Sequence, residues 1–392
     1  MRKIIAWISA LLNNRKKGYF DFTLVFCVLV LIVIGCIMIY STSAYEAGIH
    51  NDDSAFYLKK QLLAVGIGLV GMLIVALIPY EMYNNRIAVV VTNAVAILFL
   101  FLLWTPLAYS ANGATRWVRL VGNLTIQPAE IVKIAVIIYL AQYLNVRTKI
   151  IAKFGAVVNA AALPVVYFLW IWVGTSNLSS AIIVAGITAG MIFIVAPDYK
   201  KYAIVVGAVL AIAIVVILIV KNLDVLGWDL GYRGDRVKAW LNPAEYASDE
   251  GYQTLQSLYA IGSGGFFGKG MGSSVQKLGS LPEAQNDMIF AIICEELGAF
   301  GGILIMVVFL VLIYRCYYIA KNASDLFGTL LASGVMIHLA LQVILNIAVV
   351  TNTIPNTGIS LPFISYGGTS VLFLLVEMGV VLSVGKSIRV EQ

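Results

Sequence analysis

The stretch FTLVFCVLVLIVIGCIMIY, residues 22–40, runs for nineteen positions without a charge, long enough to cross the roughly 30 Å hydrocarbon core of a bilayer as a helix. Comparable runs fall at 21–41, 61–79, 87–107, 127–144, 155–173, 178–196, 202–220, 288–313, 327–350 and 368–385, ten in all. Water is absent from that core, so every backbone N–H and C=O must be satisfied within a helix or around a closed barrel. The runs are continuous rather than alternating, which selects helices. Only 12% of the 392 residues are charged and 61% are hydrophobic, against about 25% charged in a soluble protein. The chain reads as an all-α polytopic membrane protein of about ten transmembrane helices.

Ten is an even number, so both termini share one side. The segments 1–20, 80–86, 145–154, 197–201, 314–326 and 386–392 hold 15 Lys and Arg, while 42–60 and 108–126 on the other side hold 4. The positive-inside rule then puts both termini in the cytoplasm. Residues 1–20 form a basic cytoplasmic N-terminus, and the run that follows is long enough to span, so it reads as a signal anchor. Residues 21–392 form a single transmembrane domain, with 221–287 as a large extracytoplasmic loop between helices 7 and 8. The net charge of +6 sits mostly beside spans, where topology and lipid head groups account for it without nucleic acid. Cys27, Cys36, Cys294 and Cys316 lie in apolar runs and read as small buried hydrophobes. With only His50 and His338 in the chain, no zinc or haem site is assembled.

Segment 221–287 opens with alternating charges and aromatics, GWDLGYRGDRVKAWLNPAEYASDEGYQ, and continues through SLYAIGSGGFFGKGMGSSVQKLGSLPEAQND. A Walker loop needs glycine four residues before its Gly-Lys and Ser or Thr after it. Ser263 and Gly270 occupy those positions, so these glycines read instead as letting backbone approach a ligand or lie flat in the interface. Pro128, Pro164, Pro355 and Pro362, with NTIPNTGISLPFISYGGTS (352–370), suggest interrupted spans and a broken lead into the last one.

A charge near the bilayer centre costs about 2.5 to 3.5 kcal/mol on insertion scales, so each needs a partner or a task. Glu130 and Lys133, in IQPAEIVKIA, share a helix face and can pair; that pair is either structural or also shapes an active cavity. Glu295 and Glu296 point about 100° apart, one toward a neighbouring helix and the other toward a polar cavity. Glu377 lies deep in the last span and calls for a partner across the bundle. Asp287 differs from these. It lies at the N-terminus of a span, where helix N–H groups and dipole favour an anion, and two readings stand: a helix cap, or a half-shielded carboxylate serving as general base.

GATRWVRLVGNLTIQPAEIVKIA (113–135), GYQTLQSLYAIGSGGFFGKGMGSSVQKLGSLPEAQNDMIFAIICEELG (251–298) and NTGISLPFISYGGTSVL (356–372) resemble the signature segments of the SEDS proteins of shape, elongation, division and sporulation. The resemblance runs over nearly the whole chain, and LPEA and LPFISYGG look more like the FtsW and SpoVE members than like RodA. It implies a peptidoglycan glycosyltransferase that polymerises lipid II on the outer face of the bacterial cytoplasmic membrane, at the division or sporulation septum. The implied partners are a class B penicillin-binding protein transpeptidase and other divisome proteins. The family's essential aspartate falls on Asp287, its acid and lysine pair on Glu130 and Lys133, and its Arg-Trp element on Arg116 and Trp117. Arg116, Lys133 and Glu130 are thereby implied in substrate binding. Glu295, Glu296 and Glu377 are read as structural or cavity residues. The resemblance fixes no cofactor; a divalent cation at the diphosphate is compatible with it. Gln285-Asn286 replace the family's His-Thr, and TSNLSSA (175–181) lacks the acid of its Pro-Asp-Leu-Gly-Thr run. Two other classes remain open, a lipid II flippase and a non-catalytic septal scaffold.

Overall fold

The computed structural model describes residues 19–111, 114–119, 125–148, 154–196, 207, 232–248 and 251–388. Eight helices among them are long and apolar enough to span a membrane, and a ninth, Arg86–Leu102, is shorter. These account for nine of the ten expected spans; the expected span 202–220 lies, but for residue 207, outside the described residues.

Helix α1 (Phe22–Asn51) starts where the Asp21 carboxylate accepts from Leu24 N–H. The same carboxylate receives Arg315 Nε at 2.8 Å, which ties the start of α1 to the far end of α9. α2 (Phe56–Leu77) leads through the short turn Tyr80–Tyr83 to α3 (Arg86–Leu102), capped by Asn85. Their side chains are predominantly apolar, as spans in hydrocarbon require. The connection after α3 is not simple loop. It folds as three antiparallel strands in the order β1 (Ala108–Ala111), β2 (Ala114–Arg119) and β3 (Thr125–Ile126), and Pro128 then occupies the first turn of α4 (Pro128–Arg147), where a missing N–H costs nothing.

α5 (Phe154–Leu169) contains Pro164 and ends in a wider turn over Trp170–Gly174. α6 (Leu178–Val195) starts at Asn177, whose side chain accepts from Ser180 N–H. That asparagine stands where the resembling family has its acid, and it still caps the helix. Segment 221–287 contributes α7 (Tyr232–Leu241) and α8 (Tyr252–Gly264) before α9 (Ile289–Lys321), α10 (Leu326–Val350) and α11 (Gly368–Gly385) complete the chain. α11, α4 and α10 are the most enclosed spans, and α5 is the least. All four cysteines are free.

Helix α9 is broken. Gly298 adopts φ 72° and ψ −175°, a region essentially confined to glycine that costs about 1–3 kcal/mol elsewhere, so the helical ladder stops and restarts there. The groups released are taken up by the glycine-rich segment after α8. Lys269 N–H donates to Glu295 O at 2.9 Å and Gly270 N–H to Glu296 O at 3.0 Å. Beyond the break, Ala299 and Phe300 N–H donate to the carbonyls of Gly265 and Phe266. A Cβ on Gly268 would stand 2.2 Å from Glu296 O, so only glycine permits this approach. These glycines meet the protein's own backbone, where the sequence suggested a ligand or the interface.

Candidate active site

Asp287 sits in a closed turn ahead of α9. Glu283 enters the left-handed region at φ 54°, its carbonyl accepts from the N–H of Asn286 (3.0 Å) and of Met288 (3.4 Å), and Asn286 Nδ2 donates to its carboxylate. The Asp287 carbonyl accepts from Asn346 Nδ2 of α10 at 2.9 Å, and the same amide holds Ile359 O at 2.6 Å. Asp287 does not cap α9. Met288 is the cap residue, and no side chain accepts there, because the turn points the Asp287 carboxylate at the segment 356–360 instead. Gly358 faces it, with φ 66°, and a Cβ there would be 3.1 Å from Asp287 Oδ2.

Four helices hold segment 356–360 in place. Ser179 of α6 donates to Thr357 O, Arg236 Nη1 of α7 to Asn356 O at 3.1 Å, and Gln342 Nε2 of α10 to Ser360 O at 3.2 Å. Asn356 Nδ2 in turn donates to Gln253 Oε1 of α8 at 2.7 Å. The polar, Pro-interrupted run before the last span is therefore a fixed wall of the Asp287 site.

Two arginines act on this carboxylate, Arg116 from β2 and Arg236 from α7. Arg116 is aimed by its bond from Nη2 to Ser176 O at 2.9 Å, and neighbouring Trp117 lies against Tyr109 of β1 at 6.5 Å. Asp287 is half-buried, and among the described residues no side chain donates a hydrogen bond to its carboxylate. Burial pushes its pKa up to about 6, and the Glu283 carboxylate adds to the rise. Its own backbone N–H, Arg116 and Arg236 pull the other way without cancelling it.

Sequence reasoning named Asp287 and Arg116 but not Arg236 or Glu283. Arg236 lies in GYRGDRVKAW, where charge density was visible but not its target. The substituted pair is also accounted for. Gln285 Nε2 donates to Glu46 Oε2 at 3.1 Å, and Asn286 holds Glu283, so both face carboxylates. Their carbonyls are held by Tyr366 N–H at 2.9 Å and Ser365 Oγ at 2.6 Å.

The other acids lie elsewhere. Glu130 and Lys133 pair at 2.8 Å in the first turns of α4, both buried, with no hydrogen bond to Asp287. Glu130 Oε2 has no hydrogen-bond partner among the described residues. Glu377 pairs with His338 Nδ1 of α10 at 2.7 Å. Glu296 receives Lys277 Nζ at 2.7 Å and Ser41 Oγ of α1 at 2.9 Å. Glu295 does not face a cavity; it accepts from Lys269 Nζ at 2.7 Å, Ser274 Oγ at 2.5 Å and Val275 N–H at 3.2 Å. The reason is the helix break, which draws the glycine-rich segment onto that face. Among the described residues no three His, Cys, Asp or Glu side chains gather as a metal site.

Helices of spanning length, a glycine-rich segment lodged in a broken helix, and an acid under the charge of two arginines and a second carboxylate define a multi-pass membrane protein with a polar site. The chain belongs to the FtsW, RodA and SpoVE family of cell cycle proteins, whose sequence model it matches over residues 22–389. It is 39% identical over 380 residues to the stage V sporulation protein E of Bacillus subtilis, covering 96% of this chain and 100% of that one. It is 36% identical over 378 residues to a probable peptidoglycan glycosyltransferase FtsW of Trichlorobacter lovleyi, covering 95% of each. Among solved structures it resembles a chain of a peptidoglycan synthase complex, at TM-score 0.72 and 24% identity over 93% of this chain and 97% of that one. It also resembles the rod shape determining protein RodA of Thermus thermophilus, at TM-score 0.63 and 22% identity over 95% of this chain and 98% of that one. These last two likenesses concern the fold.

Proposed function

We propose that this chain is a peptidoglycan glycosyltransferase that polymerises lipid II, with Asp287 as its general base. The observation that carries this reading is the state of that carboxylate: fixed through its backbone, given no side-chain donor among the described residues, raised to about 6 and set near two arginines. A hydroxyl of one lipid-linked sugar attacks the anomeric carbon of another, forming the new C–O bond as the C–O bond to the diphosphate breaks. Asp287 takes the hydroxyl proton, and the diphosphate leaves with the bonding electrons. One base and a good leaving group need no covalent enzyme intermediate, so an α-linked donor gives a β-linked product. Arg116 and Arg236 supply positive charge for the leaving diphosphate. Lys133, oriented by Glu130, adds to it from the start of α4.

The charge bias of the sequence supports a topology with both termini in the cytoplasm and the α9 entrance, with segment 221–287, on the outer face. Likeness to FtsW and SpoVE supports work at a septum beside a class B penicillin-binding protein and other divisome proteins. The test is a gel assay of glycan strands made from lipid II by the purified protein. Asp287→Asn should abolish strands while leaving the protein folded, and full activity in that variant would sink the assignment. Transport would appear instead as movement of labelled lipid II across vesicle walls that is indifferent to Asp287.

A further inference from the structure

The turn before α9 carries a feature that the reaction above leaves unused. Glu283 is a non-glycine residue at φ 54°, and such strain persists only where the surroundings enforce it. Its carbonyl closes the turn on Asn286 and Met288, and its carboxylate is held by Asn286 Nδ2. The turn itself is pinned from outside by Ser365 on Asn286 O and Asn346 on Asp287 O. The result is two acids, four residues apart, held on one turn, with the Glu283 charge acting on Asp287.

We propose that Glu283 is a positioning residue for the reaction, its carboxylate held at the closed turn beside Asp287 so that the two like charges make Asp287 the stronger base. The inference rests on the reading of Asp287 as general base. Among the described residues, the other charged groups acting on Asp287 are Arg116 on β2 and Arg236 on α7, both of which favour its ionised form; α10 and segment 356–360 present Asn346 and Gly358, which are neutral. On the far side of Glu283 lie Tyr57 of α2, which feels both Glu283 and Glu46, and Glu46 itself, held by Gln285. A like charge in proximity disfavours ionisation, here that of Asp287. Without Glu283, the two arginines would lower the proton affinity of Asp287 and weaken it as a base.

The test is the pH dependence of lipid II polymerisation by the purified full-length protein. Wild type should lose rate on the acid side near pH 6, where Asp287 takes up its proton. Glu283→Gln should move that limb down by roughly one pH unit and lower the plateau rate several-fold, while Glu283→Asp, which keeps the charge, should hold the limb close to wild type. A limb that stays in place in folded Glu283→Gln, with only the plateau reduced, would overturn the proposal and leave Glu283 as a turn former. Should Glu283→Gln fail to fold, Glu283→Gly takes its place, because glycine adopts the left-handed turn without strain and removes the carboxylate; a limb shifted down supports the proposal and an unmoved limb overturns it. Asp287→Asn separates the two claims. Activity in that variant defeats the base assignment, whereas an inactive Asp287→Asn with an unmoved Glu283→Gln limb defeats only the role of Glu283.

Discussion

The entrance of α9 and its break at Gly298 hold the same kind of residue in opposite states. At the break, Glu295 and Glu296 are fully buried, each paired with a lysine and further bonded by serine hydroxyls or backbone N–H. At the entrance, about 13 Å along the helix, Asp287 is half-buried and its carboxylate receives no side-chain donor among the described residues. A saturated carboxylate has no lone pair to offer and its charge is already spent on holding two segments together. An unsaturated one, kept near arginines without being bound by them, can accept a proton and return it.

Changes at the break should therefore act on stability, and changes at the entrance on rate. The largest effect expected is for Glu296→Gln, which removes the charge paired with Lys277, a side chain only 8% exposed, and leaves it the Ser41 hydroxyl. Breaking such a pair costs about 3–5 kcal/mol, read as lower thermal stability in detergent, with the rate per folded molecule unchanged. Next is Arg236→Gln, which should lower polymerisation by about 10²-fold, the scale for losing one charge-stabilising donor, with no comparable loss of stability; a drop in both would blur the distinction. Gly358→Ala places a methyl against Asp287 Oδ2 and forces alanine into a left-handed conformation, at about 1–2 kcal/mol. It should reduce the rate roughly ten-fold by moving the carboxylate.

The smallest effect is the sign of a pH dependence. The folded pKa of Asp287, about 6, lies above the ordinary carboxyl value near 3.9. Wild type therefore loses stability as pH rises through the window between those values and carries that cost above it. Asp287→Asn does not titrate, so it should unfold at or slightly above the wild-type temperature at pH 7.5, with the difference vanishing at about pH 4. A variant less stable than wild type at pH 7.5 would mean that Asp287 is structural after all.

Nine of the ten expected spans were legible as helices because length and apolarity decide them, as in the run of residues 22–40. The break in α9 was not, since EELGAFGG lies inside a continuous apolar run and its cause is the insertion of residues 265–270, brought there by tertiary packing. The strands at 108–126 were hidden for a different reason, being too short for an alternating pattern. Asp287 stood out by its position at a span boundary, whereas Arg236 reaches it only because α7 docks on segment 356–360. Glu283 was hidden by its own backbone, because closeness to Asp287 follows from a left-handed residue that no sequence rule assigns to glutamate. The partner of Glu377, His338, was equally out of reach, since it lies across the bundle on another helix.

The most direct measurement compares glycan strand formation from lipid II per folded molecule for purified wild type, Asp287→Asn and Glu296→Gln, with thermal unfolding of the same samples. The account predicts that Asp287→Asn is stable and makes no strands, while Glu296→Gln is unstable and polymerises at the wild-type rate per folded molecule. Strands from Asp287→Asn, or a stable but inactive Glu296→Gln, would contradict it.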